Sequence, residues 1–309
     1  MKKLIVTTTI NPPTLALKKF MQLSDWDVVV IGDKKTPHEK YKKLNCVYLS
    51  PTDQEKISKK LSDLIGWNCI QRRNFGFIYA LQNNYDLIAT VDDDNIPKKN
   101  WGKKLLVGKN VEIDFYLTNQ KVFDPLSVTN NQDLWHRGFP IELLYNKNKK
   151  KIKKRKIIRC LVQADLWDGD PDVDAICRIS KLKPVRKFTK INSFSSNKLM
   201  PFNSQNTFLS PVVLKDYMML PHVGRMDDIW GSYYLQKKIK KPFIVFSNSS
   251  VIQKRNDHNF AVDLKNEIIG YLNTLKFINN GYNKVLPARA KKALETYLSI
   301  TNKIYKKNY

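Results

Sequence analysis

Acidic residues, cysteine pairs and long apolar runs are what this sequence has least of, and each shortage excludes something. The four cysteines, Cys46, Cys69, Cys160 and Cys177, are scattered over 309 residues with no C-x-x-C spacing. That argues against a zinc knuckle, a redox motif or a disulfide framework and leaves reduced thiols. No apolar stretch approaches the roughly 18 to 20 residues that a membrane-spanning helix needs. The opening MKKLIVTTTINPP has a basic start, but Thr7, Thr8 and Thr9 break its apolar stretch before a signal-peptide core can form. A soluble, cytoplasmic protein is expected. Carboxylates are scarce, with 28 Asp+Glu against 54 Lys+Arg and a net charge of +26. Only ten of those 54 cations are arginine, the residue on which base-edge and phosphate-fork recognition leans. The lysine excess therefore reads as a surface habit, and a nucleic-acid-binding protein is kept only as an alternative.

What is present is enough to fold. The 42% hydrophobic content separates the chain from a disordered polyelectrolyte, and its length suits one large α/β domain or two modest ones. Lys3 to Thr9, Asp27 to Ile31, Cys46 to Leu49 and Leu87 to Val91 read as short strands. Between them, Thr14 to Leu23, Asp53 to Ile65 and Arg72 to Gln82 carry apolar residues at helical spacing. This alternation implies a mostly parallel sheet whose ligands sit beyond the carboxyl ends of the strands. Thr8, Thr9, Asp33 and the triplet Asp92-Asp93-Asp94 all emerge at that edge. Farther on, Asp114 to Thr118 reads as a strand and the basic run from Asn146 to Arg159 as a solvated loop or hairpin tip. Asp227 to Lys237 reads as a helix capped by one of its two aspartates, and Phe243 to Phe246 as a strand. Asp263 to Lys306 reads as helical, with Ile268, Ile269, Leu272 and Leu275 toward the core.

The triplet is the sharpest chemical feature. Packed carboxylates repel one another, and a divalent cation relieves the repulsion. Asp92 and Asp94, at a spacing of two, suit Mn2+ or Mg2+, which take one or two carboxylates and complete their shell with water and phosphate oxygens. An acidic surface turn is the plainer reading. The second cluster, Asp165 to Asp174, fails as a calcium loop because Gly169 is misplaced, Pro171 sits inside it and Ile179 stands where the last ligand belongs. It reads as a rigid acidic loop at a cleft, with Asp168 and Asp170 toward substrate. Arg72-Arg73 opens a helix and is expected to meet phosphate. Asn203, Gln205 and Asn206 form an amide-rich string suited to hydroxyl-rich ligands. His258, in QKRNDHN, is the histidine expected at the metal or diphosphate, against the plainer reading of a surface residue.

In order along the chain, TTTINPPTLALKKF, DVVVIGDKKTP, RRNFGFIYAL, VDDDNIP, LWHRGFPIELL, DGDPDVDAICRI, PFNSQNTFLSP, RMDDIWGSYYLQ and QKRNDHN resemble the STELLO-type glycosyltransferase-like proteins. They are more distantly similar to the reversibly glycosylated polypeptides, which include the UDP-arabinopyranose mutases. The resemblance implies a GT-A fold, a Rossmann-like, mostly parallel mixed sheet flanked by helices. Residues 1–275 would form one catalytic domain, with a nucleotide-sugar half (1–110) and an acceptor half (111–275), and residues 276–309 a helical extension. It implies a metal on Asp92 and Asp94, a nucleotide-sugar donor, expected to be a UDP-sugar, and an unidentified carbohydrate or protein acceptor. Arg73 would meet the diphosphate, Thr8, Asn11 and Asp33 the nucleoside, and Asp227 or Asp228 would act as base. Arg137 matches the arginine that becomes glycosylated in the mutases, so a mutase is the alternative. Leu144 stands where the mutases have a further arginine, and DGDPDVDA and PFNSQNT follow the STELLO pattern.

Overall fold

The apolar, β-branched opening of the chain forms β1 (Lys3–Thr8), and Thr14 ends the following loop by accepting a hydrogen bond from the Leu17 amide as N-cap of α1 (Leu15–Met21). β2 (Asp27–Ile31) and β3 (Val47–Leu49) follow. Ser50 and Asp53 then close a reciprocal capping box at the start of α2 (Pro51–Ile65). A short 3-10 turn (Ile70–Arg73) leads into α3 (Asn74–Gln82), and β4 (Leu87–Val91) runs into the aspartate triplet. This is a computed structural model, and it describes residues 1–147, 151–181, 186–254 and 259–309.

The remaining elements are β5 (Asn95–Pro97), β6 (Asn110–Leu117), β7 (Ile152–Arg159), β8 (Val162–Gly169), α4 (Ala175–Lys181), β9 (Phe194–Ser196) and β10 (Asn206–Leu209). After these come α5 (Pro211–Leu214), α6 (Asp227–Ile239), β11 (Ile244–Gln253), α7 (Phe260–Asn280) and α8 (Ala288–Asn308). Among the described residues the strands form one 11-stranded sheet in the order β3-β2-β1-β4-β10-β8-β11-β9-β6-β7, with β5 on β11. β1 to β4, β7, β8 and β11 run one way, and β5, β6, β9 and β10 the other. The chain is thus the expected α/β protein with a mostly parallel mixed sheet flanked by helices. β1, β2 and β4 are buried on both faces, which is why they read as continuous apolar runs.

Three expectations change. The basic segment holds a strand, since β7 pairs along its whole length with β6. It lies at the sheet edge with nearly every residue exposed, and lysines on an edge discourage pairing with other chains. The C-terminal region is two helices, separated at Gly281 (φ 82), and the expected boundary at residue 275 falls within α7. Ile268 and Leu272 are exposed, while α7 turns Gly270, Thr274, Phe277 and Ile278 inward. Helix α8 packs on α2 and α3, and its buried Tyr297 donates to the Leu214 carbonyl. All four cysteines are free, Cys160 and Cys177 buried and the other two half-buried.

Candidate active site

Two cavities open at the carboxyl end of the parallel strands and share a wall. The first, of about 260 Å³, is lined by Thr8, Thr9 and Asn11 after β1, Asp33 after β2, Asn68, Cys69 and Ile70, and the triplet. The second, of about 410 Å³, is lined by Gln71, Arg137, Asp172, Ser204, Gln205, Arg225, Asp227, Asp228 and Gln253. Ile70, Asp92 and Asp94 line both.

Backbone geometry fixes the triplet. The Asp92 amide and the Asn95 side-chain amide both donate to the Gln205 carbonyl, and the Asn95 amide closes a turn onto the Asp92 carbonyl. Asp93 turns away toward the first cavity, where its Oδ2 accepts from Thr9 Oγ1 at 2.5 Å and Asn11 Nδ2 at 3.1 Å. Asp92 Oδ1 accepts from Arg73 Nη2 at 2.7 Å. Arg73 lines the first cavity and is at the same time tied into the protein. Arg73 is 1% exposed and also donates to Ser204 and Thr90, with Thr8 Oγ1 at 3.3 Å, so it lies beneath Asp92 as a support. Arg72 is committed to Gln54, Ser62 and the Gly66 carbonyl, with its guanidinium 3.7 Å from the Trp67 ring centroid. Asp33 is buried and accepts from the Lys34 and Cys69 amides.

In the second cavity, Arg137 is clamped between carboxylates. Its Nε donates to Asp172 at 3.0 Å, its Nη2 lies 3.1 Å from Asp228, and its Nη1 donates to the Arg225 carbonyl. Burial opposes the charge, but Asp172 and Asp228 overcome it and hold this guanidinium well above its ordinary pKa. The loop is locked to α6 at Gly138, where φ is 80 and an added Cβ would lie 2.2 Å from Ile229 Cγ2, while Tyr233 donates to the Gly138 carbonyl.

Asp227 and Asp228 open α6 in its first turn, where Met226 is the cap residue instead of either aspartate. The sequence could not separate the two, and their surroundings do. Asp228 accepts from the Ser204 amide and hydroxyl and from its neighbour's amide, besides pairing with Arg137. Asp227 accepts from Gln71 Nε2 at 2.9 Å through Oδ2. Burial, and then the charge of Asp228, push its carboxyl up to about 7 against the pull of Arg137.

Thr8, Asn11, Asp33, Arg73, Asp92, Asp94, Arg137, Gln205, Asp227 and Asp228 are thus gathered around one cleft. Asn203 supports it from behind by donating to Asp172. Three expected substrate residues lie elsewhere. Asn206 is buried in β10, and its amide bonds the Asp165 and Leu166 carbonyls and Trp101 Nε1. Asp168 pairs with Lys98 at 2.5 Å and accepts from the Phe188 amide, and Asp170 pairs with Arg178. His258 lies outside the described residues. Sequence reasoning overlooked Asp172, Gln71 and Arg225. Asp172 stood in the acidic cluster already noticed and continues the period-two spacing of Asp168 and Asp170, so spacing alone did not single it out.

Among the described residues, no lysine lines either cavity, and no three His, Cys, Asp or Glu side chains gather to hold a metal unaided. That donor set fits Mn2+ or Mg2+, which need only one or two carboxylates and take substrate phosphates as further ligands. Asp92 and Asp94 would be those carboxylates.

No family profile matches the chain. Two curated relatives from Arabidopsis thaliana, the probable glycosyltransferases STELLO2 and STELLO1, are each 24% identical to it over 255 residues, covering 76% of this chain and 33% of theirs. The chain thus spans about a third of the length of these relatives. Among solved structures, glucosyl-3-phosphoglycerate synthase from Mycobacterium tuberculosis with Mn2+, UDP-glucose and phosphoglyceric acid gives a TM-score of 0.47 at 11% identity, covering 89% of this chain and 80% of that one. The same synthase with UDP gives 0.48 at 11% identity, with the same coverage of both chains. The chain is therefore similar in sequence to probable glycosyltransferases. Among the described residues, no helix is long and apolar enough to cross a membrane.

Proposed function

We propose that the protein is a metal-dependent glycosyltransferase of the GT-A type that uses a nucleotide sugar, a UDP-sugar, as donor. The observation that carries this reading is the pair of cavities meeting at Asp92 and Asp94, one beside Asp33 and the strand ends, the other containing Asp227. The similarity to probable glycosyltransferases supports it. The first cavity takes the nucleoside, with Thr8, Asn11 and Asp33 offering polar atoms. The diphosphate lies at the shared wall, where a bound metal supplies the positive charge that stabilises the leaving group. Arg73 holds Asp92 in place for it.

The acceptor enters the second cavity. Asp227 Oδ1 takes the proton from the attacking hydroxyl as the new C–O bond forms at the sugar carbon and the bond to the diphosphate breaks. A base with a pKa near 7 is half-deprotonated at neutral pH, as this transfer requires. Arg137 positions Asp228 and Asp172. A mutase acting through glycosylated Arg137 needs a neutral guanidine nitrogen, and the two carboxylates work against that.

The test is a thermal-shift series with UDP and UDP-glucose, with and without Mn2+, because a ligand that binds only the folded state raises Tm. The expected result is a rise that requires Mn2+ and disappears in the Asp92→Asn/Asp94→Asn variant. Undiminished metal-dependent binding in that variant overturns the assignment of the metal. Radiolabel retained on Arg137 after incubation with labelled UDP-glucose would establish the mutase instead. Steeply salt-dependent binding to duplex DNA, with no response to nucleotide sugars, would favour the nucleic-acid reading.

A further inference from the structure

We infer that the compartment around Asp227 takes an uncharged, hydroxyl-bearing acceptor, a carbohydrate, and excludes phosphorylated or carboxylated ones. This rests on the glycosyltransferase reading above. The net charge of +26 would suggest the opposite, an anionic acceptor drawn to a basic protein. Local charge decides otherwise.

Among the described residues, five carboxylates line this cavity, Asp92, Asp94, Asp172, Asp227 and Asp228, against two guanidiniums, Arg137 and Arg225. Both guanidiniums are already engaged. Arg137 directs Nε to Asp172, Nη2 to Asp228 and Nη1 to the Arg225 carbonyl. Arg225 directs Nη1 to Asp263 at 2.7 Å and Nε to the buried Glu267 at 3.0 Å, with Nη2 3.9 Å from Asp172. No lysine lines the cavity among the described residues.

A metal on Asp92 and Asp94 answers the donor's diphosphate and leaves nothing for a second anion. A phosphate entering beside Asp172, Asp227 and Asp228 would have to pull a guanidinium from its carboxylate and leave that carboxylate buried and uncompensated, a large cost in a medium of low dielectric constant. A hydroxyl meets no such obstacle. It donates to Asp227, and the cavity's other polar lining, Gln71, Ser204, Gln205 and Gln253, is the uncharged kind that matches alcohols.

The experiment uses the full chain loaded with UDP and Mn2+, whose binding is verified first, so that loss of the donor reading is seen separately as absent nucleotide binding. Matched pairs are then titrated by saturation-transfer NMR: methyl β-glucoside against glucose 6-phosphate, and glycerol against glycerol 3-phosphate. The neutral member of at least one pair should bind at least about tenfold more tightly than its phosphorylated partner. Preference for the phosphorylated member, or binding of neither member of any pair, overturns the inference. Asp172→Asn should release Arg137 and Arg225 from one carboxylate and narrow the preference; a preference unchanged in a variant that still binds UDP and Mn2+ counts equally against it.

Discussion

Replacing Asp227 with asparagine should make the protein more stable at pH 8 and strongly lower its activity at every pH. The carboxyl has an ordinary value of 3.8 and stands at about 7 in the fold, raised first by burial and then by Asp228. Between those two values the folded state binds the proton and the unfolded state does not, so stability contributed by protonation is intact below pH 3.8 and is lost as pH rises through 7. Each pH unit in that window is worth up to about 1.4 kcal/mol for one group, so from pH 5 to pH 8 the wild type should lose roughly 2–3 kcal/mol that the asparagine variant keeps. Asp124, Asp165 and Asp174 are raised by burial to about 6, 7 and 7 and titrate in the same window. The informative quantity is therefore the difference between wild type and variant, obtained from urea melts at pH 5, 6, 7 and 8. Transfer activity of the wild type should climb with a midpoint near 7, while the variant loses on the order of 10²–10⁴-fold in kcat. Parallel melting profiles for the two proteins, with no growing gap toward pH 8, refute the assignment of the raised carboxyl to Asp227.

Arg137→Met should cost about 3–5 kcal/mol, seen as a lower urea midpoint, because it leaves Asp172 and Asp228 buried without their cation. Arg137→Lys, which keeps the charge but not the fork, should recover only part of that. Gly138→Ala should destabilise by at least about 1 kcal/mol in the same assay, since its φ of 80 disfavours a side chain and the Cβ would meet Ile229 at 2.2 Å. Stripping metal with EDTA should abolish the stabilisation by UDP, which at 100 times Kd amounts to about 2.7 kcal/mol. Arg73→Met should weaken metal-dependent UDP binding, and Asp92→Asn in that background should add little, because both changes act through the same carboxylate.

The first half of the fold was legible because its signals are local. Asp27 to Ile31 and Leu87 to Val91 were placed to the residue, since a strand buried on both faces must be apolar throughout. The second half was harder because its strands obey other rules. β7 is an edge strand whose lysines meet solvent on either side, so neither apolar periodicity nor composition marks it. Ile268 and Leu272 occupy helical spacing, yet the buried face of α7 runs through Glu267, Gly270 and Thr274, which carry no hydrophobic signal, before it reaches Phe277 and Ile278. In the site, residue type and position at strand ends located Asp33, Asp92 and Asp94. Partners distant in sequence were invisible: Gln71 reaches Asp227 across 156 residues, and Arg73 reaches Ser204 across 131.

The distribution of charge follows from the same constraints. A buried cation must be matched by a carboxylate or saturated with carbonyls and hydroxyls, and a planar guanidinium can satisfy several such acceptors at once, whereas an ammonium presents a single point of charge. With ten arginines and 28 acids available, the chain places Arg72, Arg73, Arg137 and Arg225 around the cleft, each engaged by acceptors within the protein. Its lysines stay outside both cavities among the described residues. A mobile lysine reaching the shared wall would compete with a divalent cation for Asp92 and Asp94, and one beside Asp227 would draw its pKa down and weaken it as a base. On the proposed function, the absence of lysine from the described lining of the cleft keeps its carboxylates available for a metal and a proton.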